Sequence, residues 1–180
     1  DVEAWAEDRG AQIARFFGVR DDPLAPAGSI RPQRLSLSEW NRRKLSTLDA
    51  RYRGRFIAFL SDAQRVAASH GAQIMIWEAS RSLVRQLNLY RQGRDRPGSM
   101  VTHTIAAPTG HLWGLAVDLV LVGPDGGPSW RFPSWYDQEV LPLARRHRLS
   151  SLLLDRGVDA PHVEVPREEL APVYASAASA

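Results

Sequence analysis

The sequence contains no cysteine. This excludes disulfides, thiolate nucleophiles and cysteine-ligated metal sites, so any metal must be held by His, Asp or Glu. Lysine is almost absent as well: Lys44 is the single lysine among 23 basic residues. No run approaches the roughly 20 consecutive apolar residues of a membrane-spanning helix, and a soluble chain is expected. A charged n-region followed by an apolar h-region is also lacking. The first residue is Asp1 and not Met, so a processed or trimmed chain is expected, in which a removed signal peptide would not be visible. No segment repeats another.

What remains is an ordinary globular composition. In 180 residues, 44% are hydrophobic and 24% charged, and the mean hydropathy is -0.30. That is enough chain for one domain with a real core, plus a short arm, and too apolar for a disordered chain. The net charge of +3 draws a protein mildly toward polyanions. Arginine suits phosphates and carboxylates through its paired donors, although coding bias in a GC-rich genome produces the same excess.

Val2, Trp5, Ile13, Phe16 and Phe17 recur at helical spacing, and the Pro- and Gly-rich stretch 21–36 reads as a loop. Residues 1–36 are therefore expected to form a helical arm and loop, 37–168 the main domain, and 169–180 a loose tail. Ser46-Thr47-Leu48-Asp49 reads as a capping box. It would open a long helix whose stripe runs through Leu48, Tyr52, Phe56, Phe59, Leu60, Ala63 and Val66 to a stop at Gly71. A buried strand is expected over 73–77 and a helix over 82–92 with Leu83, Leu87 and Tyr90 on one face. A long irregular loop spans 95–110, and a second buried strand covers 116–122. Ser134 to Asp137 is read as a second cap, opening a helix to about Arg148 that Pro142 must kink or restart. Residues 162–165 alternate as a final strand. Helices and strands are interspersed without a βαβ rhythm, which makes the fold class α+β.

Five histidines could carry chemistry. His70 and His147 end helices, where a cation complements the dipole, and His147 in its Arg-rich run reads as solvated. His103 lies undecided in the loop. His111 sits on a glycine-bounded loop seven residues before Asp118, and Asp118 stands in a strand otherwise made of Ala, Val and Leu. A carboxylate there is costly unless it pairs with a cation or a metal. His162 follows Asp159 by three residues. Two imidazoles and one carboxylate match a catalytic zinc site with an open fourth position. A nearby carboxylate, Asp159 or its rival Glu164, would serve as base.

The stretch from Glu78 to Asp118 resembles zinc peptidases of the D-alanyl-D-alanine carboxypeptidase and L-alanyl-D-glutamate endopeptidase family. The resemblance rests on Ser80-Arg81-Ser82, Gln86, Leu89-Tyr90, Gln92-Gly93-Arg94, Pro97-Gly98, Val101-Thr102, His111 and Gly114-Leu115-Ala116-Val117-Asp118. It closes on Asp159-x-Pro161-His162 and covers about residues 46 to 166. Two departures concern the pocket wall: Thr109 stands where the family often has Ser, and 152–157 replaces a Trp-Gly-Gly stretch. The resemblance implies a Hedgehog/DD-peptidase-like fold, a small antiparallel sheet packed by helices around one zinc per chain. It implies His111, Asp118 and His162 as ligands and Asp159 as general base. Arg81, supported by Gln86, would reach the site to hold an oxyanion or a substrate carboxylate, with Thr109 on the pocket wall.

The expected function is hydrolysis of peptidoglycan stem peptides outside the cytoplasm, or by a phage-type lysin. The Gln-Gly-Arg and Val-Thr strings favour the L-alanyl-D-glutamate endopeptidase branch over a D-alanyl-D-alanine carboxypeptidase. A cell-wall-binding module without turnover is the reading from another class, but a binder has no need of Asp159. Nucleic-acid binding is not expected, because Arg51, Arg53 and Arg55 spread around a helix instead of sharing a face. A monomer without a membrane span is expected.

Overall fold

A computed structural model describes residues 35–98, 100, 102, 110–157 and 159–170. Residues 1–34 of the expected arm and loop, His103, Thr109 and residues 171–180 of the expected tail lie outside the described residues; Glu169 and Leu170, expected in the loose tail, pair with Arg55 and join the main core. Helix α1 (Leu37–Ser46) and helix α2 (Arg53–Ser69) lead into strand β1 (Ile74–Glu78) and helix α3 (Leu83–Arg91). A 3-10 turn (Gly110–Trp113) precedes strand β2 (Ala116–Val122) and the short strand β3 (Pro128–Ser129). A wide π-type turn (Tyr136–Val140), helix α4 (Leu143–Arg146), strand β4 (Ser150–Ser151), helix α5 (Leu152–Arg156) and strand β5 (His162–Glu164) complete the order. The strands pair antiparallel in the order β1-β2-β5-β4, and β3 joins β2 at Leu121 and Val122. The fold is α+β, a small antiparallel sheet packed by helices.

Alternation along β2 sends Val117, Leu119 and Leu121 to one face. There they meet Ile74 and Ile76 of β1, Val163 of β5, and Phe56, Phe59, Leu60 and Ala63 of α2 in the main core. Val120 and Met75 face the other way, onto Trp40 of α1. Asp118 shares the Val120 face. The second face is thus half a small hydrophobic core and half available for chemistry.

Helix α1 was not expected, although Ser36 caps it by accepting from Glu39 N. Its inward face holds Asn41 and Lys44 beside Trp40 and Leu45, and two polar residues dilute the apolar period. Both Asn41 and Trp40 work on the edge strand. Trp40 Nε1 donates to Ile76 O (2.7 Å), Asn41 Nδ2 donates to Ile74 O (3.0 Å), and Ile76 N donates to Asn41 Oδ1 (2.8 Å). Gln64 of α2 also donates to Ile74 O, at 2.6 Å. Side chains so cover backbone groups that an edge strand would otherwise expose.

Two capping expectations fail. Ser46 ends α1 and its hydroxyl donates back to Arg43 O, while α2 begins only at Arg53, with Tyr52 as a cap that makes no side-chain bond. A short polar side chain serves a helix end as readily as a helix start. Ser134 likewise forms no cap; the chain widens into the π-type turn, with Leu141 N donating to Tyr136 O (3.1 Å). Helix α4 restarts after Pro142, as proline requires. Strand β2 has the expected bounds, and β1, α3 and β5 differ from expectation by a residue or so at their ends.

Candidate metal centre

The register of the sheet assembles most of the site. Asp118 on β2 is the cross-strand partner of His162 on β5, and on its other side of Glu78 on β1. Strand β1 advances two residues, Trp77 and Glu78, against one on β2. Such a bulge re-aims a side chain, and here it turns Glu78 toward Asp118. His111 arrives from the 3-10 turn, whose exit at Gly114 has φ +66°. A side chain at Gly114 would start 3.0 Å from Asp49 N and 3.2 Å from Thr47 O, so glycine is required both by conformation and by space.

Three atoms converge. His111 Nε2 lies 3.1 Å from Asp118 Oδ1 and 3.2 Å from His162 Nδ1, and His162 Nδ1 lies 3.1 Å from Asp118 Oδ1. The opposite nitrogens are occupied: His111 Nδ1 is 2.7 Å from Ala79 O, and His162 Nε2 is 3.1 Å from Glu164 Oε2. A carbonyl and a carboxylate only accept, so each of those nitrogens carries a hydrogen, and in its neutral form each ring turns a lone pair inward. Three lone pairs aimed at one point repel unless a cation sits between them. A tetrahedral ion with bonds of about 2.0–2.1 Å separates its ligand atoms by about 3.3–3.4 Å, close to what is found. The donor set therefore fits a metal ion, and His111, Asp118 and His162 form such a group among the described residues.

The electrostatics agree. Burial opposes the charge on Asp118, yet His111 and His162 hold its carboxyl well below the usual range. Burial also opposes charge on His162, but its hydrogen bonds to Asp118 and Glu164 push the imidazole up to about 10. The cavity draws positive charge to this point, whether as a proton or as a metal.

Arg81 lies on the rim. Its backbone N donates to His111 O (2.9 Å). Its guanidinium pairs with Glu78, donates to Gln86 Oε1 (2.7 Å), and sits with Nη2 3.6 Å from Asp118 Oδ2. Gln86 is fully buried and reaches Thr102 Oγ1 (3.3 Å) with its amide. Glu78 was not singled out in the sequence; it binds Arg81 and Arg85 together. Burial raises its pKa, but the charges of Arg81 and His111 outweigh that and lower it. A glutamate closing an otherwise apolar strand was the available signal.

Asp159 stands on the turn entering β5, where its carbonyl accepts from His162 N (3.1 Å). Its φ of +59° is unusual for a residue with a side chain, and such strain clusters at functional sites. The residue is exposed overall, yet its carboxyl is close enough to the cluster for desolvation and the Asp118 charge to raise its pKa. Glu164, the rival base, is buried and held against the far side of His162.

The other described histidines have structural partners. His70 stacks on Trp135 at 4.6 Å and meets Glu139 (3.1 Å). His147 is not solvated as expected: it is half-buried, 2.9 Å from Asp62 Oδ2 and edge-on to Phe59. Arg51, Arg53 and Arg55 are engaged by Asp49, Leu48 O and Glu169. No helix among the described residues is long and apolar enough to cross a membrane.

No family model matches the chain. It is similar to the peptidoglycan L-alanyl-D-glutamate endopeptidase CwlK of Bacillus subtilis (strain 168), 38% identical over 71 residues. That match covers 39% of this chain and 42% of the relative, less than half of either. Among solved structures, the L-Ala D-Glu endopeptidase ChiX of Serratia marcescens aligns with a TM-score of 0.49 and 21% identity. The alignment covers 76% of this chain and 94% of that one.

Proposed function

We propose that the chain is a zinc-dependent peptidase that hydrolyses an amide bond in the stem peptide of peptidoglycan, the L-alanyl-D-glutamate bond. The observation that carries the hydrolase reading is the convergence of three inward lone pairs from His111, Asp118 and His162. The similarity to a peptidoglycan L-alanyl-D-glutamate endopeptidase supports the choice of bond. With three protein ligands and no fourth among the described residues, the donor set has the count of a catalytic and not a structural zinc.

Zinc, when bound, acidifies a water and polarises the scissile carbonyl. The rest falls to the chain. His111, Asp118 and His162 would hold the ion, the two rings in the tautomers described above. Asp159 takes the proton from the attacking water and returns it to the leaving amine. Arg81, held by Glu78 and Gln86, presents guanidinium donors beside the cluster. There they stabilise the oxyanion or hold a substrate carboxylate. The polymeric substrate places the action outside the cytoplasm, with one zinc per monomeric chain.

Digestion of purified peptidoglycan, with the new termini identified by mass spectrometry, tests the reading. New amino termini on D-glutamate are expected, and their appearance should stop on chelation and resume on adding Zn2+. Release of terminal D-alanine alone would make the enzyme a D-alanyl-D-alanine carboxypeptidase. Binding to the wall with no new termini would make it a binding module.

A further inference from the structure

Glu164 was weighed as a base, but its position gives it different work. Its side chain is 6% exposed by residue and points at His162 from the side away from the cluster. Oε2 lies 3.1 Å from His162 Nε2, while Nδ1 of the same ring faces Asp118 and His111. A base must touch the attacking water, and the imidazole stands between Glu164 and the point where the three lone pairs meet. Glu164 therefore cannot reach the reacting atoms without displacing a ligand.

The surroundings hold the carboxylate where it is. Glu164 sits on β5 opposite Ala116 of β2, two residues along the same face from the His162–Asp118 pair. Gly110 covers it: a Cβ there would start 3.1 Å from Glu164 Oε2 and 2.7 Å from Ala116 Cβ. The loop carrying His111 thus closes over Glu164 because residue 110 has no side chain. On its outer side Oε1 faces Arg167 Nε at 3.8 Å. The carboxylate is confined by a strand pairing, a glycine contact and an arginine, with one oxygen left for His162.

We infer that Glu164 is a positioning residue for the metal centre: it holds the hydrogen of His162 on Nε2, so that Nδ1 is the nitrogen offered to the ion. Resting on the metal centre proposed above, this goes beyond naming its ligands. An unrestrained neutral imidazole divides its hydrogen between both nitrogens, and in one of those forms Nδ1–H would point at the ion. A carboxylate behind a ligating histidine removes that form and raises the ring's basicity, and losing such a partner costs about 10–100-fold in metal affinity. His111 receives the same service from a backbone carbonyl, Ala79 O, which substitution cannot remove; Glu164 is the half of the arrangement open to mutation.

The test uses the full chain and Zn2+ itself, titrated in competition with a chromogenic chelator, for wild type, Glu164→Gln and Glu164→Leu. Nitrogen-15 histidine NMR of the zinc-loaded proteins reads the His162 tautomer. Glutamine keeps an acceptor of the same shape, so Glu164→Gln should hold the Nε2–H form and lose less than tenfold in affinity. Glu164→Leu should lose about 10–100-fold and show a second His162 form. Should the leucine variant not fold, Glu164→Ala asks the same question. Wild-type affinity in the Leu or Ala variant, with the tautomer unchanged, overturns the role of Glu164 and leaves the metal centre standing. If the wild-type chain takes up no Zn2+, the metal centre fails, and this inference with it.

Discussion

Asp118 and His162 are cross-strand partners on neighbouring antiparallel strands, and their side-chain atoms Oδ1 and Nδ1 meet at 3.1 Å. Two of the three candidate ligands are thereby set by β-sheet register. Because side chains alternate along a strand, slipping β5 by one residue would send His162 into the main core and Val163 to the candidate metal centre. The hydrophobic demand that buries Val163 fully also aims His162.

The first prediction follows from that pairing. His111→Ala or His162→Ala should abolish stoichiometric zinc, measured by elemental analysis of purified protein, and hydrolysis should vanish with it. Two donors cannot hold the ion as three do. Full zinc in the double variant would remove these residues from the centre.

Asp159→Asn should retain zinc but lose about 10²–10⁴-fold in turnover, the range for removing a general base. The amide cannot accept the water's proton. Glu164→Gln is the comparison: a larger loss of turnover there than in Asp159→Asn would exchange the two roles.

Arg81→Lys keeps the charge and loses the planar fork that reaches Glu78 and Gln86 together. Turnover should fall about 10²-fold, the scale of losing an oxyanion donor, and the melting temperature should fall too, since the guanidinium also knits buried groups. Both are to be measured on one preparation. An intact turnover with a lowered melting temperature would leave Arg81 a purely structural part.

Glu78 is buried with two arginines on it, so Glu78→Ala should cost about 3–5 kcal/mol of stability, as breaking a buried pair does. Its folded pKa is depressed relative to the unfolded chain despite burial, through Arg81 and His111. The stability it confers is present above the unfolded value and is lost as pH falls through the lower folded one. Denaturant melts in the acid range, below about pH 4.3, should show a steeper loss in wild type than in Glu78→Gln. Parallel acid limbs would refute the coupling.

Asn41→Leu should destabilise the fold by about 1–3 kcal/mol, because Ile76 N loses its acceptor while Ile74 O keeps Gln64 Nε2. Hydrogen exchange at Ile76 N should accelerate in step. Unchanged protection there would show that another group takes over the edge.

Local order carried much of this protein into view from the chain alone. Strand β2 declares itself by an apolar, β-branched run ended by a turn. The anomaly of one aspartate within it, with His111 before it and Asp159 and His162 after, already points to the candidate metal centre, because a buried carboxylate demands a cation. What the chain could not declare are relations made by packing. Helix α1 hides because Asn41 and Lys44 on its inner face break the apolar period, and their purpose exists only once β1 lies against them. Ser46 looks like a helix start because a hydroxyl can accept from the first N–H groups of a helix or donate to its last carbonyls, and only the surrounding chain decides which is used. Glu78 joins the site through a bulge, and a bulge is a property of two strands in register. Glu164 looks like a base in sequence, two residues from a ligand. Tertiary structure puts it behind His162, on the side of the ring away from Asp118 and His111, because which partner meets each ring nitrogen is decided by the fold.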